Sequence, residues 1–235
     1  MRVSAGEPLR LVCSDLEAPP LFRASGGEQA RVGFEPDVGR AVAAAAGRPL
    51  VWVFRPWAEM LPSVVSEDGD GVLCGQGITD QRLQVVDFTR PYAVFNESVL
   101  VRPNSGIVSA ADLSGRRVGA IAGSTNMTLV ETFAGAHPVP FSGASDDVFG
   151  EMLGALRAGS VDAVVDDDVA LVPLADAADL TVAFTVETRN HWGIAVAKHR
   201  PQLRAELDQA LDGLVNDGSL RGIWERWMPT LPFPF

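Results

Sequence analysis

The chain has 235 residues, 47% hydrophobic and 21% charged, an ordinary composition for a folded protein, with room for one large domain or two lobes. Nineteen basic against thirty acidic side chains give a formal net charge of −11, which excludes a general binder of nucleic-acid phosphates, since that needs a basic face. No uncharged apolar run reaches the ~18 residues of a membrane-spanning helix, and Cys13 and Cys74 are too few for a zinc ribbon.

In chain order, Leu9–Cys13 reads as a strand and Pro19-Pro20 as a break. Glu35-Pro36-Asp37 opens a helix with acids in its first turn, where the helix dipole favours them. Val38, Ala41, Val42 and Ala45 then recur with helical spacing until Gly47 stops the run. Val51–Phe54 reads as a strand, Glu59–Val65 as a short helix and Gly71–Gly75 as another strand. This βαβαβ order implies a parallel sheet with helices on both faces.

A second set follows. Arg117–Ala122 reads as a strand ending in Gly123-Ser124-Thr125, and a helix runs from about Asn126 to Phe133. Ser145-Asp146-Asp147 caps a helix that carries Val148, Met152 and Leu156 on one face. Val161–Val165 reads as a buried strand closing at Asp166-Asp167-Asp168. Two C-terminal helices carry the stripes Leu203, Leu207, Ala210, Leu211, Leu214 and Leu220, Ile223, Trp224, Trp227, with Gly218 between them. The expected fold class is α/β with two lobes: residues 1–97 plus 193–235, and an inserted 98–192, joined by two crossings. Cys13 and Cys74 read either as buried free thiols or as a bridge between neighbouring strands.

Several segments together carry a resemblance. Gly77-Ile-Thr-Asp-Gln-Arg82 through Asp87-Phe88-Thr-Arg-Pro91-Tyr92 resembles the polar amino-acid-binding type, family 3, of the periplasmic solute-binding proteins of ABC transporters. Gly33-Phe34-Glu35-Pro36-Asp37-Val38 looks like the opening of that family's first helix. Ala111 to Val118 followed by Gly123-Ser124-Thr125, Gly159 to Val164 before the aspartates, and Asn216 to Leu220 before Trp227 match in the right order. The resemblance implies the type II periplasmic binding protein fold, each lobe a mainly parallel sheet flanked by helices. It also implies a ligand cleft at the carboxyl ends of the strands and closure by hinge bending.

It further implies a set of ligand contacts. Arg82 stands where similar proteins hold an α-carboxylate, and its planar fork suits that group bidentately. Asp167 stands where an aspartate meets the α-ammonium, although Asp166 or Asp168 could be the inward one of the three. Trp57 matches an aromatic wall, and Asp15 matches a selectivity position. Gly75 and Gly77 would present backbone groups closely, with Gln76 reaching the ligand's side-chain end. Ser124 and Thr125 would offer hydroxyls and helix N–H groups, the same residue types that serve as ordinary caps.

The expected function is capture of a small amino-acid-like ligand by a monomer that passes it to a membrane permease. No catalysis, cofactor, metal or nucleic acid is expected, and His137, His191 and His199 share no metal-ligand spacing. Two alternatives share the fold: a sensor domain of a receptor, and a cyclohexadienyl or arogenate dehydratase-like enzyme. The enzyme needs a carboxylic acid of raised pKa, and the Asp166–Asp168 cluster is expected to be too hydrated for that. The location is expected to be extracytoplasmic if a signal peptide was trimmed and cytoplasmic if Met1 is the native start.

Overall fold

A computed structural model describes residues 6–15, 17–27, 30–176 and 179–235; the segment at Met1 lies outside them. The first strand, β1 (Leu9–Cys13), is followed by a hairpin of β2 (Arg23–Gly27) and β3 (Ala30–Val32). Helix α1 (Phe34–Ala45) buries Phe34, Val38 and Val42. Of the stripe read from its periodicity, Val38 and Val42 are buried, Ala41 is half-buried and Ala45 is exposed, and Gly47 at φ 67° turns the chain away. Then come β4 (Leu50–Phe54), a 3₁₀ turn at Trp57–Glu59, α2 (Met60–Val65) and β5 (Gly71–Val72). A long strand, β6 (Val86–Val101), leads to β7 (Arg117–Ile121), α3 (Thr125–Val130) and β8 (His137–Phe141). Helix α4 (Val148–Ala158), β9 (Ala163–Asp167) and α5 (Asp168–Leu171) precede a second long strand, β10 (Thr181–Ala197). The chain ends in α6 (Pro201–Asn216) and α7 (Ser219–Trp227).

The chain forms two compact units. The first comprises Met1–Asp15, Pro20–Val94 and Asn190–Phe235. In its sheet β1 lies between β4 and β5, parallel to both, and β10 runs antiparallel to β5. Leu9, Leu11 and Val12 are fully buried because a central parallel strand is covered on both faces. Phe34 meets Trp224 edge-to-face at 5.5 Å, seating α7 on α1. The strand expected over Gly71–Gly75 is shorter: Leu73 N still bonds Val12 O at 3.0 Å, but Gly75 at φ 59° bends the chain out of the ladder.

Gly33 joins the hairpin to α1 at φ 139°, and a Cβ there would lie 2.3 Å from the Leu21 carbonyl oxygen. Gly33→Ala is therefore expected to cost about 3 kcal/mol of stability, measured by chemical denaturation.

The second unit comprises Leu16–Pro19 and Phe95–Arg189. Its strands follow the order β6-β9-β7-β8, with β6 and β9 antiparallel and β7 parallel to both β9 and β8. Val99, Val101, Leu113, Val118, Met127, Val130 and Val165 make its core. Asp147 caps α4 by accepting Gly150 N at 3.1 Å, and Gly159 at φ 75° ends that helix. The strand expected at Val161–Val165 is displaced to Ala163–Asp167. Asp162 is taken out of it, since its carboxylate holds Arg117 through the backbone N–H and the guanidinium. Asp166 and Asp167 are thus paired strand residues, opposite Ser98 and Glu97 of β6.

Candidate functional site

In the first unit, the ends of β1, β4 and β5 lead into the segments that carry Asp15, Trp57 and the Gly75–Gly77 turn. Arg82 Nη1 donates to the Gly77 carbonyl at 2.8 Å, and its guanidinium carbon lies 5.5 Å from the Trp57 ring centroid. Thr79 Oγ1 accepts the Arg82 backbone N–H at 3.2 Å. Trp57, Gly77 and Arg82 therefore form one group, with a cation over an aromatic face and a carbonyl fixing the fork. A planar, half-buried guanidinium in that setting suits a carboxylate.

Two expectations for the neighbouring turn are corrected. The Gly75 N–H points inward and donates to Glu35 Oε1 at 2.6 Å, so it is not offered to a ligand. The Gln76 side chain is also turned inward, its Nε2 lying 3.5 Å from the Cys74 carbonyl and 3.7 Å from Met60 Sδ. Trp192 explains the glycine: a Cβ at Gly75 would press on that ring at 3.3 Å.

Asp15 is 70% exposed, and its Oδ1 lies 3.1 Å from Nη1 of Arg31, which is 2% exposed. The Arg31 guanidinium carbon sits 5.2 Å and 5.5 Å from the ring centroids of Phe22 and Phe54. Sequence reading missed both Arg31 and Glu35. Glu35 is buried; Oε1 also accepts the Tyr92 hydroxyl at 2.6 Å, while Oε2 has no partner among the described residues. Burial pushes its carboxyl up to about 7, against the pull of the Tyr92 and Gly75 hydrogen bonds and of Arg31.

In the second unit, Ser124 caps α3. Its hydroxyl accepts Met127 N at 3.0 Å and donates to the Ile121 carbonyl at 2.7 Å, which commits its one proton locally. Thr125 follows as the first residue of α3, half-buried. Asn126 Nδ2 donates to Asp167 Oδ1 at 3.0 Å and brings α3 against the end of β9. Successive strand side chains alternate, so Asp167 shares a face with Glu97, and Asp166 lies on the other face with Ser98. Asp166 Oδ1 accepts Asp167 N at 2.8 Å, and Asp168 Oδ2 accepts Asn96 Nδ2 at 3.3 Å.

The hydrated turn expected here is a correction too: Asp166, Asp167 and Asp168 are all buried. Burial pushes the Asp166 carboxyl up to about 7 and that of Asp167 well above its ordinary value, with Asp166 adding to the rise at Asp167. Burial raises Asp168 as well. Carboxylates gathered out of water are costly until a cation joins them, so this group is suited to an ammonium or guanidinium.

The cysteines are free and buried on neighbouring strand ends, with Cys74 Sγ accepting Ser14 N at 3.3 Å. Burial pushes both thiols up. They are expected to resist thiol reagents until the protein is unfolded, which a timed thiol titration with and without denaturant measures. Among the described residues, no group of three His, Cys, Asp or Glu side chains is placed to hold a metal. Nor is any described helix long and apolar enough to cross a membrane.

The profile of the bacterial extracellular solute-binding proteins, family 3, matches residues 11–230. The ABC transporter arginine-binding protein 1 of Escherichia coli K12 is 27% identical over 216 residues, covering 89% of this chain and 87% of that protein. The L-cystine-binding protein TcyJ of the same strain is 28% identical over 212 residues, covering 88% and 78%. An ancestral arginine-binding protein, solved with glutamine bound, shares the fold at a TM-score of 0.84 and 29% identity, over 94% of this chain and 97% of that one. With two α/β units, the expected type II architecture and a match across almost its whole length, the chain belongs to the family 3 bacterial extracellular solute-binding proteins.

Proposed function

We propose that this protein captures a free amino acid, its α-carboxylate on Arg82 and its α-ammonium on Asp167. The observation that carries the reading is the division of charge between the units. The first presents a guanidinium on Trp57 and Gly77, and the second presents buried carboxylates at the end of β9. A zwitterion answers both, whereas a simple anion or cation answers one. The relatives named for arginine and cystine, and the structure holding glutamine, differ in side chain and share the α-amino-acid group. Trp57 packs on the ligand, Asp15 bears on its side chain, and Thr125 and the Gly77 backbone complete its polar contacts. Ligand contacts from both units draw them together, and the loaded monomer passes its cargo to an ABC-type permease outside the cytoplasm.

A thermal-shift screen over the standard amino acids and L-cystine tests this. The true ligand stabilises the fold by about 2.7 kcal/mol at a concentration of ~100 times Kd and changes tryptophan fluorescence. A screen that responds only to nucleotides or metal ions sinks the reading. One observation favours a second reading: Asp167, the carboxyl proposed to meet the ligand, is buried and held by Asn126 Nδ2 at 3.0 Å, and its burial favours the protonated form that a dehydratase uses as its acid. Saturable turnover of prephenate or arogenate, lost in Asp167→Asn, would establish it in place of transport.

A further inference from the structure

Beneath the proposed contacts of the first unit lies a chain of hydrogen bonds that involves no ligand. Glu35 sits in the first turn of α1 with 1% exposure. Its Oε1 holds two donors at 2.6 Å, the Gly75 N–H and the Tyr92 hydroxyl. Gly75 is kept at φ 59° against Trp192, and two residues on, the Gly77 carbonyl holds Arg82 Nη1 at 2.8 Å. The guanidinium that meets the ligand thus hangs from a turn whose inner end is tied to one carboxylate. We propose that Glu35 is a positioning residue for ligand binding: its carboxylate holds the Cys74–Gly77 turn from inside the first unit, and protonating Glu35 slackens that turn and weakens the ligand's hold.

The ionised form is the stronger tie, because hydrogen bonds to a carboxylate are shorter and about twice as strong as those to a neutral carbonyl. The ionisable groups facing Glu35 are few. Tyr92 on β6 donates to it, and Arg31 on β3 favours its charge. The thiols of Cys13 and Cys74, on β1 and just past β5, are pushed up by burial and further by Glu35 itself. Asp15 lies beyond, paired to Arg31. Of these groups, Glu35 is held near 7, so it changes charge close to neutrality.

The inference rests on the amino-acid-binding reading, and the test separates the two. Calorimetry with the tightest ligand from the screen is run on wild type and Glu35→Gln. From about pH 8 to about pH 6 the wild-type affinity is expected to fall roughly fivefold further than that of Glu35→Gln, which is weaker at pH 8 and keeps only the pH dependence contributed by the β9 carboxylates. Tyr92 is the only tyrosine, so a ¹³C label on its ring gives a single resonance that reports Glu35. In wild type that resonance is expected to titrate near neutrality, with a midpoint that saturating ligand moves down, since linkage is reciprocal. This measurement decides the matter even if Glu35→Gln fails to fold. Failure of every amino acid to bind overturns the reading and the inference with it. A Tyr92 midpoint that ligand leaves in place, or a pH profile shared by wild type and Glu35→Gln, overturns the inference alone.

Discussion

Arg82→Ala is expected to weaken amino-acid binding by at least a hundredfold, about 3 kcal/mol, and to leave the fold nearly intact. The side chain is half-buried, and its contacts include the Gly77 carbonyl five residues back and the Trp57 ring. Removing one such hydrogen bond costs the free protein ~1 kcal/mol. The loaded protein would lose more, because a desolvated carboxylate would be left without its charged donors. Arg82→Lys recovers only part of the loss, since an ammonium cannot hold Gly77 and a carboxylate in one plane. Asp167→Asn separates ligands instead: zwitterions lose affinity sharply, and analogues without the α-amino group lose little. Calorimetry with one ligand and its deaminated analogue measures all three variants. Should Arg82→Ala bind as tightly as wild type, or unfold, the guanidinium is structural and the clamp is wrong.

Stability is expected to fall by several kcal/mol as the pH rises from about 5 to about 8. Glu35 and Asp166 are buried carboxyls pushed up to about 7 from ordinary values of 4.5 and 3.8. Between the unfolded and folded values the native state binds more protons than the unfolded chain, so stability declines with rising pH throughout that window. Full ionisation of each costs on the order of 3 kcal/mol. Asp37, Asp70 and Asp162 are pulled the other way by their arginine and tryptophan partners. Their contribution is lost only as the pH falls below the ordinary carboxylate range, so they do not oppose the trend near neutrality. Urea denaturation at several pH values gives the slope directly, and Glu35→Gln and Asp166→Asn should each flatten it. A saturating amino acid should flatten it too, because an ammonium beside the β9 carboxylates favours their charged forms. Stability that is level or rising across this range would show that these groups are not held as described.

Local sequence determined the pieces whose cause is local. The stripes of α1, α6 and α7 follow from apolar residues at helical spacing, the stops from Gly47 and Gly218, and the start of α4 from Asp147. The order of short motifs along the chain was enough to place the family. What only the tertiary structure decided was water and direction. Glu35 reads as a first-turn acid serving the helix dipole, and it becomes a buried tie because the first turn of α1 meets Gly75, just past β5, and Tyr92 of β6. Three aspartates in a row read as a hydrated turn, yet β6 pairs alongside them and Asn126 covers Asp167. Gln76 between two glycines reads as reaching outward, and its amide instead turns toward Met60. Arg31 is held between Phe22 and Phe54, a contact built across separate strands and turns. Periodicity and capping depend on neighbours a few residues apart, so the sequence displays them. Burial, and with it the charge of a carboxyl, depends on groups far off in the chain, and these meet only when the sheet has formed.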